Sequence, residues 1–201
     1  MRKKILAKLV ICTLAISSVL PVASVSAAYK GSKAAAYAKD WAESYNTKQY
    51  YIADLDCTNF VSQCLVAGGK TPSKKLPKYD DVNYWKPHSA TWENATYFRK
   101  YWSKRVFSGS KKIEGMSNDA KKSYAISLAT FLSEGDVIQY AYNTDKVYHS
   151  QICHAKARDN SGNMIMKMAQ HTDGKKNISL PDYFAAKGFN YVYFYQMSRT
   201  I

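Results

Sequence analysis

The hydrophobic pattern of this chain changes period once, near Gly135, and that change constrains the fold more than any other feature. Before it, apolar residues recur at helical spacing. Ala34, Ala38, Trp41, Ala42 and Tyr45 form one stripe of a helix reaching about Tyr45, which Ser32 is placed to cap. A polar, Tyr-rich loop (46–55) leads to a second helix from about Cys57 to Ala67, stopped by Gly68-Gly69. Residues 70–88, with Pro72, Pro77 and Pro87, read as irregular. Further helices are expected from Thr91 to Lys104 and from Asn118 to Phe131, with a polar segment between them. After the change the pattern is that of strands. Gly135–Tyr142 opens one; His149–Ala157 and Asn163–His171 make a pair joined by a hairpin loop over Arg158–Gly162. A short helix, Leu180–Lys187, precedes a last aromatic strand, Phe189–Met197. Helices first and antiparallel strands last predict an α+β fold.

The start of the chain reads as an export signal. Arg2, Lys3, Lys4 and Lys8 precede the apolar run Leu9–Val22, and Val25-Ser26-Ala27 supplies small residues for cleavage near Ala27. The run is too short for a good membrane span, so no stable membrane insertion is expected and the protein is read as secreted. Removing 1–27 leaves 174 residues, enough for one domain, with a net charge of +10. Such a charge suits an anionic wall or membrane surface. Nucleic acid is not expected, because no recognition motif for it is present. Three cysteines remain, Cys57, Cys64 and Cys153, an odd number that cannot be a disulfide framework.

Cys57 stands where its helix begins, and there backbone N–H groups and the macrodipole favour thiolate. A cysteine nucleophile needs a base, which is usually histidine, and the base needs an orienting partner. Strand parity puts His149, Gln151, Cys153, Ala155 and Ala157 on one face, and Ser150, Ile152, His154 and Lys156 on the other. The small residues of the first face suggest cover by a helix. On the cysteine helix, Cys57, Phe60, Val61, Cys64 and Leu65 form the apolar stripe. His149 is therefore the expected base. An odd hairpin loop centred on Asn160 would set His171 opposite His149 as the orienting residue, whereas an even loop would set Thr172 there. Cys64 and Cys153 read as packing residues or a mutual disulfide; His88 and His154 read as surface or edge residues. Asp56 is ambiguous, since it could cap the helix yet would oppose a neighbouring thiolate. Metal is not expected. Cys57 and Cys64 lie about 10 Å apart along a helix, and His149 and Cys153 about 13 Å apart along a strand, too far to share zinc.

In order along the chain, Ala36-Tyr37-Ala38, Trp41 and Asn46 precede the block Asp56-Cys57-Thr58-Asn59-Phe60-Val61-Ser62-Gln63-Cys64 and Ala67-Gly68-Gly69. Trp85, Ser89, Trp92, Gly135-Asp136-Val137-Ile138-Gln139-Tyr140, His149-Ser150 and Gln170-His171-Thr172 follow. In these blocks the chain resembles the bacterial Putative amidase domain family, a relative of NlpC-type and other papain-like cysteine peptidases. The resemblance spans nearly all of residues 28–201. It implies a papain-like α+β fold, with the nucleophile helix packed on an antiparallel sheet. It also implies Cys57 as nucleophile, His149 as base and His171 as third polar residue, with no cofactor. Many relatives carry Asp just before this histidine, where this chain has Tyr148. The implied substrate is the peptide part of cell-wall peptidoglycan. The expected function is a secreted cysteine amidase or peptidase. A catalytically silent wall-binding module and an amide or acyl transferase are the alternatives.

Overall fold

The computed structural model describes residues 28–75 and 78–201. The expected export signal, 1–27, lies outside the described residues, as do Leu76 and Pro77 of the irregular segment. The fold is α+β. In chain order the elements are α1 (Gly31–Trp41), α2 (Asp56–Ala67), α3 (Ala90–Glu93), α4 (Ala95–Trp102), β1 (Val106–Lys112), α5 (Asn118–Leu128), β2 (Val137–Ala141), β3 (Val147–Arg158), β4 (Met164–Gln170), β5 (Lys175–Ser179), α6 (Leu180–Ala186) and β6 (Tyr191–Thr200). The six strands form one sheet in the order β1-β6-β2-β3-β4-β5, every neighbour antiparallel.

Both faces of the sheet are covered. Phe60, Val61, Cys64 and Leu65 of α2 pack with Trp85, Trp92, Val137, Ile152 and Ala169 in one core. Leu128 of α5 and Leu180 and Phe184 of α6 pack with Ile138, Tyr140, Cys153 and Met168 in the other. The alternation of β2 and β3 divides their side chains between the two cores, as period 2 requires.

The helix expected over 91–104 is two helices. Asn94 breaks it: its backbone is extended, and its side chain accepts hydrogen bonds from Thr96 N and Tyr97 N at the start of α4. Ser32 does not cap α1, whose N-cap is Lys30 with no side-chain bond. β1 and β5 fall in segments that show no strand pattern, because both lie at the edges of the sheet and carry polar or charged residues.

Helix α2 is not the one-sided helix its apolar stripe suggests. Every residue from Asp56 to Leu65 is buried. Its polar side chains are satisfied internally. Trp92 Nε1 donates to Asn59 Oδ1 at 2.6 Å, Trp85 Nε1 donates to Ser62 Oγ at 3.0 Å, and Tyr37 Oη donates to Gln63 Oε1 at 2.8 Å.

Candidate active site

Cys57 is the second residue of α2, only 4% exposed, and lines a cleft of about 760 Å³. Tyr51, Asp54, Leu55, Glu93, Lys146 and Tyr148 are among the other residues lining it. The thiol is held from two sides. The Thr58 hydroxyl lies 3.7 Å from the sulfur, and the backbone amides of Thr58 and of Ser150 on β3 are placed to donate to it. His149 directly precedes Ser150, so the strand that touches the sulfur also carries the histidine.

His149 faces away from α2. Its ring stacks with Tyr140 at 5.9 Å and with Tyr183 of α6 at 6.4 Å, while Ser150 and Ile152 face α2. The parity argument therefore named the wrong face. A bulge at His154 shifts the β3–β4 register between Cys153 and Ala155. That breaks the alternation, so Ala155 and Ala157 carry no information about the face of His149. A second register shift, between Tyr140 and Ala141, leaves Tyr148 as the extra residue beside His149.

The partner of His149 is Gln170, not His171. His149 Nε2 lies 2.8 Å from Gln170 Oε1. The hairpin ladder pairs Arg158 with Met164, centring the loop one residue later than expected, and the His154 bulge then shifts it again. Those two displacements set Gln170 beside Gln151 and within reach of His149.

His171 has other work. Its Nε2 donates to the Trp41 carbonyl at 2.8 Å and its Nδ1 contacts Asp56 Oδ2, with the side chains 3% and 5% exposed. Its ring stacks on Phe60 at 4.1 Å. Asp56 Oδ1 also accepts from Ala53 N at 2.8 Å and Asn59 Nδ2 at 2.7 Å. Asp56 is thus the first residue of α2 rather than its cap, and its carboxyl ties the helix start to His171, just past β4, which in turn donates to Trp41 at the end of α1.

The hydrogen bonds around His149 fix its tautomer. Gln170 Nε2 donates to the Thr172 carbonyl at 3.0 Å, which turns Oε1 toward His149. Gln151 Nε2 donates to the same Oε1 at 2.6 Å, and its own Oε1 accepts from the Tyr140 hydroxyl. An amide oxygen can only accept, so His149 carries its proton on Nε2. Nδ1 keeps the lone pair.

Burial sets the resting charges. It pushes the Cys57 thiol above its ordinary value; the Thr58 hydroxyl and the two backbone amides pull the other way, and the Asp56 charge adds a smaller push upward. Burial lowers His149, against a smaller upward pull from its Gln170 hydrogen bond. The pair therefore rests as thiol and neutral imidazole, not as the thiolate that the helix N-terminus alone suggests.

Cys64 and Cys153 are free and buried, and lie in the two cores on opposite sides of the sheet, so they are not a mutual disulfide. No cluster of three His, Cys, Asp or Glu suited to a metal ion occurs among the described residues. His154 accepts from Asn177 N at 3.1 Å and His88 stacks on Tyr51 at 3.9 Å.

Residues 28–195 match the family described as "Putative amidase domain". The chain belongs to this family. Over 153 residues the amidase domain is also 29% identical to "Uncharacterized protein YjcM" of Bacillus subtilis (strain 168), a match covering 75% of this chain. It spans about a third (32%) of that relative's length. No solved structure is significantly similar to the chain. Family membership points to amide hydrolysis and a hydrolase.

Proposed function

We propose that this protein is a secreted cysteine amidase or peptidase of papain-like type, related to the NlpC-type enzymes, that cleaves amide bonds in cell-wall peptidoglycan peptides. The observation that carries the reading is the tautomer of His149. Gln170 holds the Nε2 proton, which leaves Nδ1 as a base on the strand whose next residue touches the Cys57 sulfur. In the proposed reaction the sulfur attacks the amide carbonyl carbon while its proton passes to His149 Nδ1, across a gap that no hydrogen bond spans in the resting structure. Backbone N–H groups at the start of α2 hold the developing oxyanion. His149 then gives the proton to the amine as the C–N bond breaks, leaving an acyl thioester on Cys57. Water loses a proton to His149 and attacks the thioester. The C–S bond breaks, and the proton returns to sulfur. No metal or cofactor takes part. His171 has no part in orienting the base.

The wall is the proposed target because a leader at residues 1–27 would export the domain, and a mature charge of +10 would draw it to anionic wall polymers. Mass spectrometry of a defined peptidoglycan digest tests the substrate. Treatment with the protein is expected to yield fragments with a new amine and carboxylate at one peptide bond. An unchanged digest would remove the peptidoglycan reading. A competing amine added to the same mixture separates hydrolysis from transfer: a transferase would leave the added amine's mass on the released peptide.

A further inference from the structure

Resting on that reading of Cys57, we propose that Thr58 is a positioning residue for the nucleophile, the last member of a one-way hydrogen-bond relay that aims a hydroxyl proton at the sulfur. Tyr195, Gln139, Ser150 and Thr58 form the relay, and each is 0–1% exposed. The Tyr195 hydroxyl donates to Gln139 Oε1 at 2.7 Å, which fixes that amide's orientation. Its NH₂ group then donates to the Ala95 carbonyl at 3.0 Å and to Ser150 Oγ at 2.9 Å.

An amide NH₂ cannot accept, so Ser150 Oγ is an acceptor in that contact and its proton is free to go elsewhere. Thr58 Oγ1 lies 2.9 Å from it. With Ser150 donating to Thr58, the Thr58 proton is released toward Cys57 Sγ, 3.7 Å away. The reverse polarity would leave the buried Ser150 proton without an acceptor, which is unfavourable. Polarity therefore runs from Tyr195 to the sulfur. A donor there stabilises the thiolate more than the thiol, which partly offsets burial, the main obstacle to ionising Cys57.

The two strands thus serve both catalytic groups from opposite faces. Gln139 and Ser150 look toward α2 and hold the sulfur; Tyr140 and Gln151, their neighbours in sequence, look the other way and hold His149 through Gln170. Asp56 on α2 and Tyr183 on α6 couple to the sulfur, and Tyr51, Asp54, Glu93, Lys146 and Tyr148 line its cleft. Thr58→Val leaves all of them unchanged.

The test is the pH profile of iodoacetamide alkylation at Cys57, followed by peptide mass mapping, in wild type, Thr58→Val and Thr58→Ser. Thr58→Val is expected to move the midpoint up by about one unit, a roughly tenfold slower reaction below the midpoint, with thermal unfolding lowered but still cooperative, because Ser150 loses its acceptor. Thr58→Ser is expected to restore the wild-type profile. An unshifted profile in folded Thr58→Val overturns the proposal. Should that variant not fold, Thr58→Ala decides in the same way: an upward shift supports the proposal and no shift overturns it. The alkylation readout needs no substrate. A wild type inactive on peptidoglycan would therefore count against the proposed function and leave the relay to be judged by its own measurement.

Discussion

At the scale of single residues, adjacent positions divide the chemistry. Gln170 sets the proton on His149, and His171, the next residue, locks Asp56 at the start of α2. The two substitutions should therefore fail differently. Gln170→Ala is expected to lower kcat/KM on the order of 10²-fold, part of the 10²–10⁴ that a positioned base supplies, a loss larger than the folded fraction accounts for, although stranding the His149 and Gln151 donors also lowers the melting temperature. His171→Ala leaves the Asp56 carboxyl buried without its partner and is expected to cost about 3–5 kcal/mol of stability by denaturant unfolding. Equal loss of stability in both, with activity tracking the folded fraction, would contradict this division. Helix-start position singles out Cys57, but strand parity reaches His149 through the wrong face. The hairpin pattern offers His171 or Thr172 as its partner, and not Gln170. That choice depends on a hairpin centre and a bulge at His154, and neither leaves a mark in residue type.

At the scale of elements, the motif blocks explain how the site is held. Gly135 adopts φ +83° and sits so close to Gly31 that an added Cβ would lie 2.5 Å from its Cα, so the turn before β2 requires glycine. Asp136 then accepts from Ser133 N and from Met197 N, each at 2.8 Å, tying β2 to β6. Asp136→Ala strands both donors and is expected to destabilise by roughly 2–4 kcal/mol, measured by urea unfolding. A change below about 0.5 kcal/mol would contradict that role. Long, strongly patterned elements such as α2 and β3 were legible from periodicity. β1 and β5 were not: edge strands such as Lys175–Ser179 bury too little to show alternation. The apolar stripe of α2 carries no information about its polar residues, of which Asn59, Ser62 and Gln63 are internal hydrogen-bond partners.

At the scale of the whole molecule, a sheet covered on both sides keeps the Cys57 thiol and the His149 imidazole buried and uncharged. Burial lowers His149, so the base stays neutral until the pH falls below its ordinary value of about 6.5. The acid limb of kcat/KM is accordingly expected below pH 6.5, and a limb above it would contradict a buried, uncharged base. The same shift has a sign for stability. The unfolded chain takes up the His149 proton first, so this group's contribution is complete above about pH 6.5 and is lost as pH falls below it. The central claim is that one sulfur carries the chemistry. Its most direct measurement is the release of new amines from purified cell wall by wild type and by folded Cys57→Ala. Release by wild type with the variant at the no-protein background is the predicted result; equal release by both would contradict it.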